Sequence, residues 1–137
     1  VRAVTPLSRG VNALYRVALA DKTRAVLKTP RYATDAEFLA EPAVLSRIGR
    51  ETGVPVPEIL ATGGADDGAL DRAYYVMGFL DGRQVEGVLA LSATARERFA
   101  REVAAHLAAV HELRIGEAYG PLEYADGDVR PEPSFGS

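Results

Sequence analysis

The chain has 137 residues, 47% of them hydrophobic and 26% charged, with a net charge of −3, which describes one globular domain with room for a core but short for a two-lobed enzyme. That balance excludes a reader of phosphate backbones, because no basic excess exists to displace counterions, so no nucleic-acid partner is expected. Without cysteine there are no disulfides or thiolate metal sites, and with no membrane-spanning apolar run and no basic-then-apolar leader the expected setting is cytoplasmic, with no membrane partner.

Val1 to Leu7 reads as a short first strand with Pro6 in an edge position. Ser8, Arg9, Gly10, Val11, Asn12 and Ala13 then form a link of small and turn-prone residues. Such a link lets backbone N–H groups converge on an anion, although with Gly10 alone it also reads as a plain turn. Leu14 to Pro30 is a hairpin around Asp21-Lys22-Thr23, and Tyr15, Val17 and Leu19 alternate with smaller or charged residues. Its second strand ends in Val26-Leu27-Lys28. Lys22 and Lys28 are the two lysines among 16 basic residues. An ammonium in an apolar strand needs a partner, and a compact point charge suits polyphosphate better than a planar carboxylate clamp. The other reading of Lys28 is an edge-strand lysine with its stem on the sheet and its head in water.

Thr34-x-x-Glu37 is a capping box that opens a helix, with Phe38, Leu45 and Ile48 at helical spacing and Gly53-x-Pro55 closing it. Pro42 predicts a kink, or a short helix over 34–40 followed by a second starting near Pro42. Val54-Pro55-Val56-Pro57 is extended, Glu58 to Thr62 reads as a strand, and Asp66-Asp67 falls in a turn. Ala73 to Leu80, AYYVMGFL, is the strongest strand signal and long enough to be central and covered on both faces. A helix over 92–113 follows, capped at Ser92 or Thr94, with Thr94-x-x-Glu97 as a second box and Phe99, Val103, Leu107 and Val110 as its apolar stripe. Beyond Arg114 the chain is rich in Gly and Pro, and Asp126-Gly127-Asp128 reads as a turn.

Taken in order, six segments carry a resemblance. They are Asn12-Ala13-Leu14-Tyr15-Arg16-Val17, Val26-Leu27-Lys28, Phe38-x-x-Glu41-x-x-x-Leu45, Val54-Pro55-Val56-Pro57, Tyr74-Tyr75-Val76-Met77-Gly78-Phe79-Leu80-Asp81-Gly82, and Leu107-Ala108-Ala109-Val110-His111. Together they resemble the N-terminal half of the aminoglycoside phosphotransferase family, which includes choline-kinase-like and homoserine-kinase-like small-molecule kinases.

The resemblance implies an α+β fold: a protein-kinase-like small lobe with an antiparallel sheet of about five strands and one packed helix over 1–80. A hinge over 81–91, a long helix of the C-terminal lobe over 92–113 and a loop over 114–137 would follow, so that the chain is a fragment of a longer protein. It further implies ATP or GTP with Mg²⁺ as the nucleotide, and a small-molecule hydroxyl as acceptor in the intact protein. Lys28 would contact the α/β-phosphates and Glu41 would hold Lys28, with Glu37 as the substitute partner because Pro42 disturbs that helix. The backbone around Ser8, Arg9, Gly10 and Asn12 would cover the phosphates. Met77 would wall the purine, and the backbone of Gly78, Phe79 and Leu80 would hydrogen-bond it. The family's His-Gly-Asp-x-x-x-x-Asn stretch is missing, and neither His106 nor His111 precedes Gly-Asp. No catalytic residue or metal ligand is therefore assigned, and the chain alone is expected to be inactive. The alternatives are a non-catalytic binding or regulatory module, with a dimer through the face of helix 92–113, and an unrelated α+β domain.

Overall fold

Three consecutive strands set the frame on which everything else is placed. In the computed structural model, which describes residues 1–67, 69–82, 90–117 and 120–132, β1 (Ala3–Arg9), β2 (Asn12–Ala18) and β3 (Arg24–Pro30) form an antiparallel meander. The turn between β2 and β3 closes through Leu19 N–H donating to the Thr23 carbonyl at 2.9 Å and Thr23 N–H donating to Asp21 Oδ1 at 2.9 Å. Lys22 takes a left-handed φ of 70° in that turn.

The link expected from Ser8 to Ala13 is shorter than its composition suggests. A register shift between Pro6 and Ser8 lets β1 stay paired up to Arg9 opposite Ala13. Only Gly10 and Val11 lie between the two strands. Pro6 lies on β1, at the sheet edge, where its missing N–H costs no ladder bond to a further strand.

Two more strands, β4 (Ile59–Gly63) and β5 (Tyr74–Gly78), complete a five-stranded sheet in the order β1-β2-β3-β5-β4. The aromatic run therefore enters between β3 and β4 and is paired on both sides. Its expected burial on both faces is not observed. Tyr75 is wholly buried, whereas Tyr74 and Val76, which point to the other face, remain half-buried. The reason is that the packed helix covers one face only of this strand.

That helix, α1 (Asp35–Glu51), begins where the capping box places it: Thr34 accepts from Glu37 N–H, and Glu37 accepts from Thr34 N–H at 2.9 Å. It runs as one element through Pro42, so of the two arrangements expected the divided helix is not formed. Pro42 removes one backbone donor, but its ring is among the most completely buried groups, so apolar burial offsets the lost bond. Phe38 meets the Tyr75 ring with centroids 5.3 Å apart, and Leu39, Ile59 and Met77 close around them and Ala73.

The second helix, α2 (Ala93–His111), is capped by Ser92, which accepts from Ala95 N–H at 3.3 Å. Thr94 lies inside the helix, so the second capping box does not form, and Glu97 instead pairs with Arg101 at 2.7 Å. Phe99 and Val110 on its stripe are half-buried while Val103 and Leu107 are exposed. Residues 83–89 of the expected hinge lie outside the described residues.

The expected loop over 114–137 contains a hairpin, β6 (Leu122–Ala125) and β7 (Asp128–Pro131). Asp126 and Gly127 adopt φ values of 55° and 86°. Two left-handed residues in a two-residue turn match the right-handed twist of the strands they join. The hairpin lies on α1, which packs more extensively against β6 than against β4 or β5, and Val129 is buried there. Gly127 has open space where a Cβ would be, so its positive φ is the sole constraint. Gly127→Ala is expected to lower stability by about 1 kcal/mol, read from the midpoint of thermal unfolding.

Candidate functional site

Lys28 is placed by the sheet and answered by the helix. In the ladder it stands opposite Leu14 of β2 and Tyr75 of β5. Its Nζ donates to both carboxylate oxygens of Glu41, at 2.8 Å to Oε1 and 2.6 Å to Oε2. The lysine side chain is only 12% exposed, against 45% for that of Glu41. A nearly buried ammonium demands a charge partner of this kind. The Tyr75 ring supplies a second favourable surface, with Nζ 5.6 Å from its centroid.

Helix geometry explains why Glu41 arrives there. Residues three apart share a helix face, so seating Phe38 on Tyr75 turns Glu41 toward the sheet as well. Glu37 does not compete for Lys28. The Thr34 backbone N–H and then its hydroxyl hold the Glu37 carboxyl below the usual glutamate range, and those contacts keep it at the helix start.

Val26, two residues before Lys28 on the same strand face, stands opposite Met77. Met77 is half-buried and packed against the Phe38–Tyr75 cluster, so it is part of the core as well as of this face. Past β5, Gly78 N–H donates to the Glu58 carbonyl at 2.9 Å and Phe79 N–H to the Arg24 carbonyl at 3.3 Å. The Arg24 guanidinium lies 4.7 Å from the Phe79 ring centroid and 2.6 Å from Asp81 Oδ2. Arg24 thus ties the start of β3 to the segment that leaves β5.

The model of the phosphotransferase enzyme family (APH) matches residues 3–135. The chain belongs to that family. No curated protein matches. Among solved structures, this phosphotransferase-family chain is similar to the proposed fructosamine-3-kinase of Thermobifida fusca YX-ER1, at 28% identity and a TM-score of 0.54 over 96% of its length. It covers 41% of that protein and so spans about two fifths of the relative's length. The five-stranded sheet with α1 across it is the kinase-like N-terminal lobe of this family.

Within the phosphotransferase frame, the remaining site residues fall as follows. The backbones of Ser8 and Arg9 belong to β1, and their side chains lie outside the description. Gly10 occupies the hairpin tip with no neighbouring atom where a Cβ would sit. Asn12 stands opposite Pro30, two ladder positions beyond Lys28, so the tip lies at the Lys28 end of β3. Of the Gly78–Leu80 backbone expected to meet a purine, the N–H groups of Gly78 and Phe79 already donate within the protein. Leu80, just beyond them, is exposed.

His106 and His111 lie on α2, half-buried and exposed respectively. Among the described residues no three His, Asp or Glu side chains converge. A cavity of about 260 Å³ between α1, β4 and the β6–β7 hairpin, lined by Leu39, Pro42, Ser46, Ile59, Tyr124 and Asp128 among others, includes neither Lys28 nor Glu41. Sequence reasoning missed Tyr75 and Arg24 as site residues. Both act across strand pairings between segments about fifty positions apart, and no local signal reports those pairings.

Proposed function

We propose that this chain is the nucleotide-binding portion of an ATP- or GTP-dependent small-molecule phosphotransferase. The observation that carries the reading is the Lys28–Glu41 ion pair, an ammonium held on a sheet face near the strand end where the β1–β2 tip lies. An ammonium so placed can neutralise α- and β-phosphate oxygens, while the acidic helix residue fixes its direction of approach. Val26 and Met77, adjacent on the same face, offer a flat apolar wall for a base, and Leu80 N–H is the donor left for its edge. When bound, Mg²⁺ would offset phosphate charge, and no described residue of this chain is assigned to hold it.

The acceptor would be a hydroxyl of a small molecule. Similarity to a protein named as a fructosamine-3-kinase makes a sugar-derived hydroxyl the first class to test. The sequence contains no His-Gly-Asp-x-x-x-x-Asn stretch, so this chain binds nucleotide without supplying the base for transfer.

Calorimetric titration of the chain tests the reading. MgATP or MgGTP should bind saturably and at least about tenfold more tightly than adenosine or guanosine, because the phosphates meet a charged donor. Equal affinity for nucleotide and nucleoside would remove Lys28 from the site. Absence of any binding would favour a non-catalytic module.

A further inference from the structure

Tyr75 is the buried titratable group that nucleotide binding leaves unused. Its side chain is completely enclosed, stacked on Phe38 at 5.3 Å and lying under the Lys28 ammonium at 5.6 Å. Among the described residues its hydroxyl is the one buried side-chain polar atom with no hydrogen-bond partner. A hydroxyl in that position is out of reach of water and should find an acceptor. The ammonium above the Tyr75 ring is the one that binds Glu41 at 2.6 Å, which brings that carboxylate to the same face, and burial first, then the Glu41 charge, hold the phenol above the ordinary tyrosine range.

We infer that Tyr75 is a positioning residue whose hydroxyl is the second tether of the Glu41 carboxylate. The inference rests on the proposed nucleotide site and adds to it. Both Glu41 oxygens now receive the same ammonium, yet a carboxylate has lone pairs for further donors. In the inferred arrangement one carboxylate oxygen accepts from the phenol O–H while the other keeps Lys28. Lys28 then has donors free for phosphate oxygens. Once the ammonium is shared with a polyanion its hold on Glu41 weakens, and the tyrosine keeps the carboxylate facing the site. Among the described residues Lys28 from β3 binds Glu41, and Tyr75 from β5 lies against that ammonium. Thr34 already engages Glu37, one turn earlier on the helix.

Tyr75→Phe keeps the ring and deletes the hydroxyl. In the ligand-free chain labelled with ¹³C at glutamate carboxyls, the Glu41 resonance should move in this variant while that of Glu37 stays. MgATP affinity should fall about tenfold, and the same change made on a Glu41→Ala background should have no further effect. An unmoved Glu41 resonance overturns the tether whether or not nucleotide binds. Equal affinity losses on both backgrounds also overturn it, by reassigning Tyr75 to packing. If the wild type binds no nucleotide but the Glu41 resonance moves, the tether stands and only the nucleotide reading fails. Should Tyr75→Phe not fold, the Tyr75 Cζ resonance of the folded chain must shift on Glu41→Gln, and a stationary one overturns the inference.

Discussion

Replacing Lys28 with methionine is expected to weaken MgATP binding by roughly a hundredfold while shifting the thermal midpoint by only a few degrees. The two effects separate because the partners differ in exposure. Losing the lysine leaves behind Glu41, whose side chain is 45% exposed and can be hydrated where it stands. Methionine fills the same stem volume over the Tyr75 ring. Glu41→Ala is the harsher change for stability, since it strands an ammonium that is only 12% exposed with an aromatic face as its remaining support. Its expected cost is about 1–3 kcal/mol, against under about 1 kcal/mol for Lys28→Met. Calorimetric titration and thermal unfolding of both variants check this ordering. If Lys28→Met lost as much stability as Glu41→Ala, the ion pair would be a structural strut rather than a pre-set binding group.

How far the sequence could be read depended on whether a signal was local. Lys28 stands out because an ammonium among Val26, Leu27 and Ala25 contradicts its surroundings, and Thr34 with Glu37 forms a box within four residues. That same box already commits Glu37, which is why the substitute partner for Lys28 was a poor one: a carboxylate that caps a helix start is not free one turn later. Pro42 looked disruptive because propensity counts the missing donor and cannot count a ring that becomes buried. The β6–β7 hairpin was legible in principle, since Asp126-Gly127 is a strong two-residue turn. Its flanks, LEYA and DVRP, are only four residues each and carry charge, so the strand pattern was too short to register. Tyr75 beneath Lys28, and Arg24 against Phe79 and Asp81, depend on which residue of β3 faces which residue of β5. A one-residue slip would move Tyr75 to the opposite sheet face, so only the assembled register can assign it.

Phe38→Ala is expected to be the most damaging single change to the fold, at about 3–5 kcal/mol. The side chain is 4% exposed and supplies α1 with its aromatic contact to the sheet. Truncation removes its apolar transfer energy and leaves a cavity between Tyr75, Met77 and Ile59, which are held by the ladder and cannot collapse into it. For a chain of this size such a loss should lower the thermal midpoint by roughly 10–20 °C. The effect should reach the site as well. Phe38 and Glu41 lie on one helix face, so loosening the first frees the second to move away from Lys28, and MgATP affinity should fall although Phe38 touches neither group. Phe38→Leu separates the two consequences. It refills most of the volume and should recover most of the stability and the affinity together, measured by thermal unfolding and calorimetric titration on the same preparations. A midpoint within one or two degrees of wild type for Phe38→Ala would mean that the β6–β7 hairpin, rather than this aromatic contact, holds α1 in place.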